Sequence, residues 1–340
     1  MKLKRILAAV SACALAVGIM AGCGKTGESS DSNKSTGEAA KDYKIGVVQI
    51  MEHMSLNTIR DAVVKQLEEL GYKDGDNCTI DLQQANNDTS MVTQILDKFK
   101  ADGVDVIVAI TTPCATAAAA YSDEIPVVFS AVTDPVSTGL VKDWDNSGDE
   151  NLTGTSDKLD ITRILDTALK ITPDIKKLGY LYNTGEQNSV ACLKEVKTYC
   201  EGKDIEVVEA SATTATELSE AATTLFSKCD AVFSPNDNTV AGSMGTVAKI
   251  AIDAKKPMYV GADSMVKDGG FATVGIEYTD LGKETANMVD RILKGEKAGD
   301  IAVKVFNEDL STYINKSTAD AIGVKVPDEI LNGEKTIIVE

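Results

Sequence analysis

The sequence has little of what metal or cofactor chemistry requires. It contains one histidine, His53, and no Cys-x-x-Cys pair, whereas zinc sites take several His, Cys or carboxylate ligands. Gly-rich phosphate loops of the Walker or dinucleotide type are absent, and Ser264 does not lie in a G-x-S-x-G nucleophile elbow. We therefore predict a protein that uses no metal and no cofactor and has no catalytic activity.

The cysteines are too few and too widely spaced for a disulfide framework. Five of the seven lie beyond residue 23, and an odd number at such spacing is a poor basis for pairing. Cys192 and Cys200 fall on one predicted helix, about 12 Å apart, which is beyond disulfide reach. We expect buried, unpaired thiols.

Positive charge is also scarce, with 34 Lys and Arg against 52 Asp and Glu and a net charge of −18. Nucleic-acid binding is disfavoured because phosphates need a basic surface, and docking on anionic lipid is disfavoured for the same reason. Beyond the N-terminal region, no apolar run is long enough to span a membrane.

The N-terminal region has the order of a secretory signal, predicted over residues 1–22. Lys2, Lys4 and Arg5 precede an apolar run over 6–20 that is too short to cross a bilayer. The end of the run, Ala21-Gly22-Cys23, resembles a bacterial lipoprotein signal, which implies cleavage before Cys23 and acylation of its thiol. An ordinary signal peptide with an incidental cysteine is the alternative. The lipoprotein interpretation places the chain on the outer face of the cytoplasmic membrane, at the cell surface.

Residues 23–42 are rich in Gly, Ser, Thr, Lys, Asp, Glu and Ala and show no apolar periodicity. Such a segment cannot bury enough surface to offset its ordering entropy, so we expect a flexible tether. From residue 43 the pattern alternates between continuous Val/Ile strands and amphipathic helices, which indicates parallel sheets covered on both faces. A polar stretch over 141–156 separates two such runs of similar size. This predicts an α/β fold of two doubly wound parallel-sheet lobes, with a hinge and a cleft between them.

Ligands of such sheets bind beyond the carboxyl ends of the strands. This rule selects the loops over 51–56, 111–114 and 130–135 in the first half of the chain. In the second half it selects those over 183–189, 235–238 and 262–265.

Short strings within and near these loops resemble one family, the extracytoplasmic solute-binding proteins of ABC importers, in the group with the tryptophan- and tyrosine-binding lipoproteins. The strings are Glu52-His53, residues 126–135, 151–157, 182–189, 237–239, 261–264 and 272–278. The resemblance implies a periplasmic-binding-protein type I fold whose lobes close over an aromatic amino acid: tyrosine, tryptophan or phenylalanine. It also implies a monomer that works with an ABC permease. Met54 and Asn57 stand where many relatives have Pro and Asp, which bears on ligand preference.

The resemblance further implies how the chain divides between the lobes. We expect 43–154 and 276–300 in the first lobe, and 155–275 and 301–340 in the second. The expected ligand-binding residues are His53, Leu56, Thr111, Thr112, Ser130, Ala131, Thr133, Asn183, Glu186, Asn188, Ser189, Asp237, Asn238, Asp263 and Tyr278.

Among these residues, hydroxyls of the first half would hold the ligand's carboxylate. Asp237, with Glu186 as second choice, would pair with its ammonium group. The alternative for the acids is a solvated side chain or a helix cap. An alternative for the whole protein is a surface adhesin that binds a host or matrix component, alone or in addition to a solute.

Overall fold

The computed structural model describes residues 42–145, 147–307 and 309–340. The predicted signal peptide, Cys23 and all but the last residue of the predicted tether lie outside the described residues. No helix in the described ranges is long and apolar enough to cross a membrane.

The first sheet has the strand order β11-β5-β4-β3-β1-β2, and every pairing in it is parallel. Its strands are β1 (Tyr43–Gln49), β2 (Cys78–Gln84), β3 (Val106–Ile110), β4 (Val127–Ser130), β5 (Leu152–Ser156) and β11 (Lys304–Val305). Its helices are α1 (Met54–Glu69), α2 (Thr89–Asp102), α3 (Thr112–Ala118) and α10 (Tyr278–Leu293), and 3₁₀ turns follow at 119–121 and 298–300. All of β3 and β4 is buried, as expected of parallel strands covered on both faces.

The second sheet has the order β13-β12-β10-β9-β8-β6-β7. Its strands are β6 (Lys177–Tyr182), β7 (Glu206–Ser211), β8 (Ala231–Ser234), β9 (Met258–Val260), β10 (Ala272–Gly275), β12 (Ser311–Asn315) and β13 (Thr336–Val339). The remaining helices are α4 (Ile161–Ile171), α5 (Gln187–Glu201), α6 (Ala215–Lys228), α7 (Asn238–Ala241), α8 (Met244–Ala254), α9 (Asp263–Lys267), α11 (Lys316–Ile322) and α12 (Asp328–Leu331).

The predicted class, two α/β parallel-sheet lobes, is confirmed, with one antiparallel pairing in the second sheet. Strand β12 runs antiparallel to β10, whereas the sequence suggested parallel sheets throughout. The chain reaches β12 from β11 in the first sheet, without the crossover helix that would bring it in parallel to β10.

The polypeptide crosses from one lobe to the other three times: after β5, after β10 and after β11. Two of the expected lobe boundaries shift by a few residues. Thr155 and Ser156 pair with Lys304 and Val305 in the first sheet, whereas the boundaries expected from the sequence place all four in the second lobe. Between the second and third crossings, α10 packs on α1. Tyr72, just after α1, donates its Oη to Asp290 Oδ1 of α10 at 3.0 Å. Gly282 permits this approach, because a Cβ there would lie 2.6 Å from the carbonyl oxygen of Ile59.

The cysteines agree with the sequence analysis. The five in the described part of the chain are buried and unpaired: Cys78, Cys114, Cys192, Cys200 and Cys229.

Candidate ligand-binding site between the lobes

A small cavity with an open volume of about 20 Å³ lies between the two lobes, at the carboxyl ends of their strands. This is about the space that one water molecule needs, so the closed lobes leave little free volume between them. Both lobes line the cavity. The first lobe contributes His53, Ser55, Leu56, Thr111, Thr112, Ala131, Thr133 and Tyr278. The second contributes Asn188, Asn236, Asn238, Ala241, Ala262 and Met265, and Asp157 lies at the first crossing between the lobes.

The first lobe contributes two strained strand ends. Thr111 follows β3 with a φ of 89°, and Ala131 follows β4 with a φ of 55°. Non-glycine residues rarely adopt positive φ, β-branched ones least of all, and such strain concentrates at functional sites. The Thr111 hydroxyl is buried and has no hydrogen-bond partner among the described residues. With Thr112 beside it, this wall can donate hydrogen bonds to a small anionic group.

The second lobe contributes Asn236 and Asn188, which have different hydrogen-bond partners. Asn236 Nδ2 donates to Thr133 Oγ1 at 2.8 Å and to Asp157 Oδ2 at 2.5 Å. Asn188 Nδ2 donates to the carbonyl oxygen of Asn236 at 3.3 Å. The side-chain oxygens of Asn188 and Asn236 are buried and have no partner within the described ranges. They are acceptors available to a ligand donor.

Asp157 is the one carboxylate among the lining residues of the described structure. It follows β5 at the first crossing and accepts hydrogen bonds from Thr133 Oγ1 at 3.0 Å and Tyr278 Oη at 2.9 Å, besides Asn236. Complete burial raises the pKa of this carboxyl, and the hydrogen bonds oppose the rise only in part.

Two contacts near the start of α1 join the lobes directly. His53 Nε2 donates to Asn238 Oδ1 at 3.2 Å, and the hydroxyls of Ser55 and Ser264 are hydrogen bonded to each other. Burial lowers the pKa of His53, and the hydrogen bond to Asn238 raises it by less. The lobes are therefore closed on each other, with a neutral histidine at their contact.

Nine of the expected site residues line this cavity: His53, Leu56, Thr111, Thr112, Ala131, Thr133, Asn188, Asn238 and Tyr278. The structure does not bring the expected acids there. Asp237 Oδ2 accepts from Asn183 N at 2.8 Å and Ser189 Oγ at 2.7 Å, and Oδ1 caps α7 through Val240 N at 3.0 Å. Asp237 therefore braces the second lobe from behind the cavity.

Glu186 lies beside Asp237 and supports Asn238 and Thr239. Its carboxylate accepts from Asn238 N and Nδ2, at 3.0 and 2.7 Å, and from Thr239 N and Oγ1, at 3.1 and 3.2 Å. Burial next to Asp237 raises the pKa of Glu186. Asp263 pairs with Lys267 Nζ at 2.6 Å. These two acids likewise do not line the cavity.

Three uncharged residues expected at the site also lie outside the cavity lining. Ser130 Oγ is hydrogen bonded to Thr285 Oγ1 at 2.8 Å, on the side of β4 that faces α10. Asn183 Nδ2 donates to Thr239 Oγ1 at 2.9 Å, and Ser189 binds Asp237. Each is a brace between elements of its own lobe.

Six lining residues are not among those expected from the sequence: Ser55, Asp157, Asn236, Ala241, Ala262 and Met265. Asn236 falls within the loop over 235–238 that the strand-end rule selected, whereas Asp157, directly after β5, lies in none of the selected loops. Asp157 also closes one of the strings that carried the family resemblance. A search for acids directly after every strand, crossings included, would have found it.

Two α/β lobes joined by three crossings, closed on a cavity that combines unpaired polar atoms with apolar side chains, define a solute-binding protein of the periplasmic-binding-protein type I fold. The chain belongs to the ABC transporter substrate binding protein family, whose sequence profile matches residues 44–337. It is thus the substrate-binding component of an ABC transporter.

Relatives in the family are similar over nearly their whole length. A tyrosine-binding protein of Clostridioides difficile (strain R20291) is 38% identical over 325 residues, 95% of this chain and 94% of the relative. A Streptococcus pneumonia ABC domain in complex with L-Trp is 35% identical, with a TM-score of 0.83 over 88% of this chain and 100% of that one.

A third relative informs on the arrangement of the lobes. The ligand-free, open structure of a Clostridium difficile substrate-binding protein with adhesive properties is 37% identical. It covers 88% of this chain and 99% of its own, yet the TM-score is 0.66. Identity is nearly the same as for the L-Trp complex, so the lower score reflects the lobe arrangement. The lobes described here are arranged more like those of the complex.

Proposed function

We propose that the protein captures a free aromatic amino acid outside the cytoplasmic membrane and presents it to its ABC permease. Supporting this proposal are relatives named for tyrosine binding and solved with L-Trp. The observation that carries it is the interlobe cavity itself. Unpaired buried polar atoms of Thr111, Asn188 and Asn236 face one space together with apolar Leu56 and Met265.

The two kinds of surface suit the two parts of such a ligand. A buried polar atom without a partner costs free energy, which a ligand group recovers on binding. The Thr111–Thr112 wall, at the strained end of β3, would hold the α-carboxylate. Leu56, Ala241 and Met265 would contact the side chain, and the oxygen of Asn188 would be available to a phenol or indole donor.

Closure of the lobes over the ligand would produce the form that the permease recognises. The contacts His53–Asn238 and Ser55–Ser264 join the lobes directly, so they form only when the hinge closes. A ligand that contacts both lobes shifts the population towards this state. The permease would then distinguish the loaded, closed surface from the open one.

The proposal also covers membrane anchoring, the lobe boundaries and the absence of catalysis. We place it on the outer face of the cytoplasmic membrane, anchored through acylated Cys23 and a tether over 23–42, and working as a monomer. Lobe 1 would comprise 43–156 and 276–305, and lobe 2 the rest of the folded chain. The protein would release its ligand unchanged and would not act as an enzyme.

A thermal-shift screen of the purified protein against all twenty amino acids tests the function. A ligand that binds only the native state raises the melting temperature by mass action. Calorimetry on the hits would give the affinity, and small-angle scattering would report compaction of the closed form. We expect tyrosine, tryptophan or phenylalanine to stabilise the protein; tight binding of a sugar, with no response to aromatic amino acids, would refute the proposal.

Adhesion is a second candidate function, favoured by one observation. The Clostridium difficile relative that is 37% identical is described as having adhesive properties. Binding of the purified protein to cultured epithelial cells and to immobilised matrix proteins would test it, with a saturating aromatic amino acid present and absent. Adhesion that is unchanged by closure would assign it to a surface outside the cleft.

A further inference from the structure

A second cavity lies at the hinge, outside the cleft, and it shares no lining residue with the cavity between the lobes. Its open volume is about 570 Å³. This is within the range of about 300–1,000 Å³ that small-molecule sites occupy. We propose that this hinge cavity binds a small organic cation with an apolar body, and that its occupancy favours the closed arrangement of the lobes.

The second and third crossings between the lobes form much of the wall of the hinge cavity. Ile276 and Glu277 connect β10 to α10, and Phe306, Asn307 and Asp309 belong to the segment between β11 and β12. These segments must change conformation when the lobes rotate against each other. The shape of the cavity therefore depends on the angle between the lobes.

Aromatic and apolar side chains from both lobes provide a surface for the body of a ligand. Trp144 comes from the loop before β5, and its carbonyl oxygen accepts from Val303 N at 3.2 Å, which holds this loop against the approach to β11. Tyr313 and Ile337 come from neighbouring strands of the second sheet. Ile337 is 42% exposed, so covering it would remove apolar surface from water.

The aromatic rings of the hinge cavity already attract cations of the chain itself. Each ring has a lysine Nζ near its centroid: Lys158 at 5.3 Å from Trp144, Lys304 at 5.6 Å from Phe306 and Lys267 at 6.0 Å from Tyr313. An ammonium group at such a distance is attracted by the quadrupole of the ring, and quaternary ammonium ligands are recognised in this way. A ligand cation inside the cavity would use the same attraction.

Carboxylates outnumber ammonium groups in the lining. Asp145, Glu277, Asp280 and Asp309 line the cavity, whereas Lys304 is the one basic residue among the described lining residues. Asp280 and Asp309 form ion pairs with lysines near them in the fold. Asp145 and Glu277 are exposed and have no ion pair within the described part of the chain. The excess of negative charge repels anions and favours a cation.

Contact with both lobes gives the occupant an effect on closure. Val305 of the first sheet and Tyr313 of the second both line the cavity in the closed arrangement described above. A ligand that contacts both shifts the population towards the arrangement in which both are within its reach. By linkage, the cation in the hinge cavity and the solute in the cleft would each raise the affinity for the other.

The test is titration calorimetry of the purified protein with two cationic probes, 4-phenylbutylamine and benzyltrimethylammonium, and one neutral probe, 4-phenylbutan-1-ol. The amino acid that binds the cleft is kept at saturation, so that the probes do not enter it. The variants are Phe306→Leu and the double replacement of Asp145→Asn with Glu277→Gln. The matched control is Glu220→Gln, which neutralises an exposed acid of α6 that does not line the hinge cavity.

We expect wild type and Glu220→Gln to bind 4-phenylbutylamine at least about tenfold more tightly than the neutral alcohol. The double variant should lose about tenfold in affinity for both cations and keep its affinity for the alcohol. Phe306→Leu should lose about threefold, because leucine keeps apolar contact but has no ring face. Added salt should weaken binding of the cations, since exposed charges are screened.

The coupling to closure is measured in the reverse titration. Affinity for the amino acid of the cleft should rise severalfold when 4-phenylbutylamine is present at saturation. An unchanged affinity, with the amine bound, would overturn the link between the hinge cavity and closure.

Other outcomes would overturn the site itself. These are equal affinity for the amine and the alcohol, no binding of either cation up to about 10 mM, or full affinity in the double variant. Tighter binding of an oligolysine peptide than of either amine would overturn the small-molecule assignment. Should the melting temperature show that the double variant does not fold, Phe306→Leu and the salt dependence decide. If no amino acid binds the cleft, the proposed function fails, whereas titration of the unliganded protein still tests the hinge cavity.

Discussion

Replacing Asp237 by alanine should destabilise the second lobe and reduce binding only indirectly. The side chain is fully buried and accepts three hydrogen bonds, from Asn183 N, Ser189 Oγ and Val240 N. Alanine removes both acceptor oxygens, and with them all three hydrogen bonds. The Ser189 hydroxyl can rotate to another acceptor, but two backbone N–H groups are left buried and unpaired.

The size of the effect follows from those two groups. A buried donor without a partner costs about 1–3 kcal/mol, so two cost about 2–6 kcal/mol. The charge of Asp237 contributes to the raised pKa of Glu186. Its removal relieves this repulsion and so offsets part of the lost stability. We expect a net loss of about 3 kcal/mol, which for a lobe of this size lowers the melting temperature by roughly 6–12 °C.

Differential scanning calorimetry of the unliganded protein measures the shift, and titration calorimetry measures affinity for the aromatic amino acid that binds. Ser189→Ala is the matched control, because it removes one of the three bonds and leaves both backbone groups paired; it should cost about 1 kcal/mol. Affinity should fall by no more than about tenfold, through Asn238 next in the chain. A normal melting temperature together with a hundredfold weaker affinity would show that Asp237 contacts the ligand after all.

Three further outcomes are expected. Since His53 has a lower pKa in the closed form than its ordinary value of about 6.5, protons favour the open form. Affinity should therefore fall as pH drops below about 6.5, and His53→Gln should make the fall less steep; an identical pH profile in calorimetry would contradict this. Gly282→Val should cost about 1–3 kcal/mol by overpacking α10 against Ile59, and an unchanged melting temperature would count against that packing. Cys23→Ala should abolish labelling by a fatty-acid analogue and release the protein from cells, whereas unchanged labelling and retention would exclude lipidation at this residue.

The two halves of the candidate site differed in how well the sequence predicted them. Residues after the first-lobe strands, such as Thr111 and Ala131, were expected at the ligand and do line the cavity. The acid expected at the ligand was wrong. Asp237 is bonded within the second lobe, and Asp157 lines the cavity instead. A polar residue directly after a strand gives the same sequence pattern whether its side chain caps the next helix or faces the cleft.

The sequence by itself determined the strands, the helices, the two-lobed class and the edge of each sheet where a ligand would bind. It could do so because these depend on apolar periodicity and on the direction of parallel strands. Only the tertiary structure decided which side chains face the cavity. That choice depends on distant partners: Asp237 is held by Asn183, 54 residues away, and Asp157 meets Tyr278, 121 residues away. No local pattern encodes such contacts, since they exist only once distant parts of the chain have folded together.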